Sequence, residues 1–65
     1  MTGKISAFDD HRGIGTVTAD DGRDYPFHCT QIADGTRTIK IGTAVTFDAQ
    51  AGHLGRFEAT VITPA

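Results

Sequence analysis

The sequence predicts an all-β fold, a small five-stranded antiparallel closed β-barrel, on three observations. Five short runs of β-forming residues follow one another at close spacing. One long connection, Cys29 to Gly42, separates the third run from the fourth. No segment carries an apolar period of about 3.6 residues, so no helix competes for the chain.

The first strand, Lys4 to Phe8, has Ile5 and Phe8 as its large apolar residues and ends at the turn-forming pair Asp9-Asp10. In the second, Gly13 to Thr18, Gly15 and Val17 lie on one face and Ile14, Thr16 and Thr18 on the other. Its glycines mark strong twist or a bulge, the means by which a small barrel turns corners. Asp20-Asp21-Gly22 then forms the hairpin turn. The third strand, Asp24 to His28, sets Tyr25 and Phe27 on one face and Pro26 and His28 on the other. Pro26 has no N–H to give a ladder, which places this strand at an edge or a bulge.

From Cys29 to Gly42 the alternation is lost, with one short helical turn expected near Thr30 to Ala33. A loop of that length in a small domain is often functional. The fourth strand, Ala44 to Ala49, points Val45 and Phe47 inward and Thr46 and Asp48 outward, and Gln50 to Leu54 makes the next turn. The last strand, Arg56 to Thr63, puts Phe57, Ala59 and Val61 on one face before Pro64 stops it. The expected core is Ile5, Val17, Tyr25, Phe27, Ile32, Val45, Phe47, Phe57 and Val61.

A chain of 65 residues is one domain near the lower size limit for an unaided core, with marginal two-state folding expected. Cys29 is the only cysteine, so no intrachain disulfide staples it, which fits a reducing, cytoplasmic setting. No apolar run approaches the roughly 18 residues of a membrane span, and the Met-Thr-Gly-Lys start resembles no targeting peptide. The chain reads as a soluble monomer. Six Lys and Arg stand against eight Asp and Glu, and the cations are scattered, so the electrostatic footprint of a strong nucleic-acid binder is missing.

The residues carry a resemblance to a known family. Gly3-Lys4-Ile5-Ser6-Ala7-Phe8-Asp9, Arg12-Gly13-Ile14-Gly15-Thr16-Val17 and Phe27-His28-Cys29-Thr30-Gln31-Ile32 resemble the opening strand and the two ribonucleoprotein motifs of the cold-shock domain family. Gly35, Ile39, Gly42, Val45, Phe47, Gly55 and Val61 fall at that family's framework spacing. The resemblance covers nearly the whole chain and implies an oligonucleotide-binding barrel that holds single strands by stacking bases on aromatic side chains. Ala7 stands in the tryptophan slot, Ile14 and Thr16 in the phenylalanine slots of the first motif, and Pro26 in that of the second. Cys29 and Thr36 fill the next two aromatic slots, Ser6 and Leu54 two basic ones, and Arg12 keeps the position of a lysine. Phe8 and His28 are the aromatic residues that remain.

One stacked base is worth roughly 1–3 kcal/mol, so the loss of about six platforms removes most of an ordinary oligonucleotide affinity. Phe8, Arg12, Ile14, Thr16, Pro26, His28 and Thr36 are the candidate contacts for a weakly bound single-stranded DNA or RNA. Arg56 is a further candidate for a phosphate. A second reading takes the Ala7, Ile14, Pro26 strip as a protein-interaction surface on a barrel that has lost nucleic-acid binding. Neither reading is enzymatic, since no nucleophile motif or clustered acid and base is present. No cofactor and no metal are expected: Cys29 and His28 are adjacent and point to opposite faces of a strand, with no two further ligands evident.

Overall fold

The computed structural model describes residues 1–52 and 55–65. Its strands are β1 (Thr2–Asp9), β2 (Ile14–Ala19), β3 (Asp24–His28), β4 (Ala44–Ala51) and β5 (Phe57–Pro64), with a 3₁₀ turn over Cys29–Gln31. They form one antiparallel sheet in the order β3-β2-β1-β4-β5. Gln50 and Ala51, expected in a turn, extend β4 and pair with Glu58 and Phe57. The rest of that expected turn includes His53 and Leu54, which lie outside the described residues. The helical turn sits one residue earlier than expected because His28, whose side chain accepts from the Thr30 N–H, caps it.

β3 is an edge strand, one of the two placements expected from Pro26. Among the described residues no ladder joins β3 to β5, so the sheet is not hydrogen-bonded into the closed barrel expected. The segment after β3 spans the gap instead. Ile32 forms a parallel bridge with Ile62, the Ala33 N–H donates to the Ile62 carbonyl at 2.8 Å, and the Val61 N–H donates to Gln31 Oε1 at 3.5 Å.

Two bulges decide which side chains reach the interior. In β1 the register passes from Ile5↔Val17 to Ala7↔Thr16, leaving Ser6 as the extra residue. Ile5 and Phe8, three apart, would face opposite ways on a regular strand, and the bulge returns Phe8 to the inner side. In β5 the register passes from Thr46↔Thr63 to Asp48↔Thr60, so that Val61 and Ile62 together face Phe47. The parity of the strand reverses there. Ile62 is fully buried and Val61 is 54% exposed, which corrects the expectation that Val61 belongs to the core. Phe57, also expected inside, is 59% exposed because it lies on the Ala59 side of β5 but beyond the end of the core.

Val61 takes a φ of 50°, a left-handed conformation that is an outlier for a β-branched residue. That conformation costs about 1–2 kcal/mol, more than the roughly 0.5–1 kcal/mol glycine loses through its unfolded-state freedom. Val61→Gly is therefore expected to stabilise the fold by about 0.5–1 kcal/mol and to raise the melting temperature by a few degrees. A fall in the melting temperature would show that the exposed valine makes packing contacts worth more than its strain.

Ile5, Val17, Val45 and Ile62 are the largest fully buried side chains. Tyr25 packs tilted on Phe47, ring centroids 5.4 Å apart, and ties β3 to β4, which are not sheet neighbours.

Candidate nucleic-acid interface

Strand pairing brings the expected outer strip together. Thr16 lies between Ala7 of β1 and Pro26 of β3, and Ile14 lies between Asp9 and His28. With alternation along each strand, Ala7, Thr16, Pro26, Ile14 and His28 share one face of three neighbouring strands. They line an open cleft of about 520 Å³ together with Phe8, Asp9, Gly15, Phe27 and Glu58. Ile14, one of its lining residues, is 40% exposed.

Gly15, whose missing side chain would point to the inner side, lets the Phe27 ring close in behind this cleft. A Cβ there would stand 2.6 Å from Phe27 Cζ and 2.7 Å from the Ala7 carbonyl oxygen, too close for any side chain. Phe8 and Phe27, its cross-strand partners, stack over it with ring centroids 6.0 Å apart and planes 15° apart. Phe8 is thus half-buried and packed against the core while also lining the cleft.

His28 sits where two grooves meet. It lines the outer cleft and also a second groove formed with Cys29, Thr30, Ile32, Gly35, Thr36 and Arg37. Its Nδ1 accepts from the Thr30 N–H at 3.3 Å and lies 3.0 Å from the Thr30 hydroxyl oxygen, which fixes the ring's orientation and leaves Nε2 facing away from the turn. Thr36, the expected contact in the long loop, lies in the second groove. Its N–H and hydroxyl both donate to Asp34 Oδ1, at 3.0 and 2.7 Å, in an Asx turn. The Thr36 N–H first, and then its hydroxyl, hold the Asp34 carboxyl below its usual range, so a negative charge stands beside this contact.

Arg12 is the expected contact that lines neither of these two grooves. It rides on the β1–β2 turn, where Asp9 Oδ1 accepts from the backbone N–H groups of His11 and Arg12 at 3.0 and 3.2 Å. Gly13, at a φ of 65°, then returns the chain into β2 and accepts from the Cys29 N–H at 2.7 Å. Asp9 and Glu58 are the charged lining residues that sequence reasoning missed. Glu58 reaches the cleft from β5, a distant strand, and no local pattern signals that approach. The cleft thus carries two carboxylates and, among its described lining residues, no lysine or arginine. Among the described residues, no three His, Cys, Asp or Glu side chains gather as a metal site, and no helix is long and apolar enough to cross a membrane.

The family model of the 'Cold-shock' DNA-binding domain matches residues 1–65. A cold shock-like protein of Thermotoga maritima is 39% identical over 85% of this chain and 85% of its own length. Cold shock protein 1 of Lactiplantibacillus plantarum is 34% identical over 92% of both chains. The cold shock-like protein CspG of Shewanella violacea is 35% identical over 94% of this chain and 90% of its own. The match takes in all five strands and the long loop as well as the two motifs on β2 and β3, so the chain belongs to the cold-shock domain family.

Proposed function

We propose that residues 1–65 act as one monomeric domain that binds single-stranded DNA or RNA weakly on the outer face of β1, β2 and β3. The observation that carries this reading is the gathering of Ala7, Ile14, Thr16, Pro26 and His28 on one face by strand register. The family's established use of that face supports it. Weakness follows from the small side chains in place of stacking rings and from Asp9 and Glu58, which repel phosphate.

The two carboxylates and the exposed Ile14 also favour a second reading, a protein-interaction surface. Amide-shift titration with oligo-dT and oligo-rU at low and then raised salt separates the two. Shifts at Ala7, Phe8, Ile14 to Thr16, Phe27 and His28 that fade with salt are the expected result. Silence at millimolar oligonucleotide overturns nucleic-acid binding and leaves the protein surface as the reading to pursue.

A further inference from the structure

Across Pro26 from the outer cleft, a further open groove of about 520 Å³ runs between β3 and the start of β5. Arg23, Asp24, Tyr25, Pro26, Arg56 and Phe57 line it. Its charge is the reverse of its neighbour's, with two arginines to one carboxylate. That carboxylate is already engaged, since the Thr18 hydroxyl donates to Asp24 Oδ1 at 2.6 Å. Arg23 lies 3.8 Å from Asp21 in an ion pair open to solvent, which is worth little in water and which a phosphate can displace. Phe57 contributes nothing to the core, yet its ring stands 59% exposed beside these two cations.

We propose that this groove is a phosphate-and-base subsite for a single strand, in which Arg23 and Arg56 hold phosphates and Phe57 stacks one base. The proposal rests on the outer-face reading above, because Pro26 lines both grooves and gives a bound strand a continuous path from one to the other. Guanidinium groups match phosphate oxygens in paired hydrogen bonds, and a flat exposed ring suits any base because every base has a π-face. An acidic peptide would satisfy the arginines and leave the ring unused. The stacking and basic groups missing from the outer face are thus supplied by Phe57 of β5, Arg56 just before it and Arg23 of the β2–β3 turn. This part of the strand path falls outside the slots of the ribonucleoprotein motifs.

The test is titration of the whole chain with a seven-nucleotide oligo-dT, read by amide shifts at several salt concentrations, for the parent, Phe57→Ala, Phe57→Trp and Arg23→Gln/Arg56→Gln. Loss of the ring is expected to weaken binding about tenfold, and tryptophan to restore it. The arginine pair is expected to lower the salt slope by about 1.4, the share of two phosphate contacts on a single strand. All these side chains are exposed, so thermal unfolding of each variant should match the parent. If the variants bind as the parent does while Ile14 to Thr16 still shift, the subsite is wrong and the outer-face reading stands. If no residue shifts in the parent at millimolar oligo-dT, both are overturned. If polyglutamate moves the Arg23 and Arg56 amides as strongly as oligo-dT does, the groove reads carboxylates and the proposal is likewise overturned.

Discussion

Ile14→Phe/Thr16→Phe is expected to raise affinity for oligo-dT about a hundredfold. Both side chains stand on the outer face of β2, Ile14 beside His28 and Thr16 between Ala7 and Pro26. Residues two apart on a strand are about 6.8 Å apart, which gives each new ring its own base. One stacked base adds roughly 1–3 kcal/mol, and each 1.4 kcal/mol is tenfold, so about tenfold per ring is a conservative expectation. The neighbours are small and the face is open, so the rings enter without displacing core side chains. Stacking adds no phosphate contact, so affinity should rise at every salt concentration while the salt slope stays that of the parent. Fluorescence anisotropy of a labelled oligo-dT measures both quantities. An unchanged affinity would place the bound strand somewhere other than the outer face of β2.

The outer strip was legible in the sequence for the same reason that this experiment is simple. β2 and β3 are short, alternate with period two, and are joined by a tight turn, so local parity alone assigns Ile14, Thr16, Pro26 and His28 to one face. Pro26, through its missing N–H, had narrowed β3 to an edge or a bulge, and the edge is what the sheet shows. What parity could not convey lies beyond the bulges. An extra residue at Ser6 turns Phe8 inward against Phe27, and another at Val61 and Ile62 exchanges which of the two is buried. Val61 is a strong strand former in a left-handed conformation, so propensity pointed away from the bulge it occupies. Glu58 in the outer cleft, and Phe57 and Arg56 opposite Arg23, meet through pairs separated by more than 30 residues. Their meeting depends on how β5 crosses β3, and no local signal carries that information.

Phe47 and Phe57 were indistinguishable by sequence pattern, and the same substitution at each is expected to give opposite results. Phe47 is 2% exposed and packs on Tyr25, and so holds β4 against β3 across the interior of the sheet. Phe47→Ala removes that ring and leaves a cavity that the surrounding strands close only in part, at a cost of about 3–5 kcal/mol. At roughly 0.05–0.15 kcal/mol per residue, a chain of 65 residues has about 3–10 kcal/mol in total, so the variant loses from about a third to all of its stability at 25 °C. Phe57→Ala removes a ring that mostly faces water and should change stability by less than about 0.5 kcal/mol. Urea unfolding of the two variants beside the parent measures the difference, with the slope against denaturant reporting whether each still folds in one step. Equal destabilisation would mean that Phe57 is buried in solution and that β5 runs closer to β3 than the fold described here allows. The groove between them, and with it a stacking role for Phe57, would then have no room to exist. A folded Phe57→Ala with parent stability is therefore both the control for the core and the condition under which its loss of binding can be read as the loss of a contact.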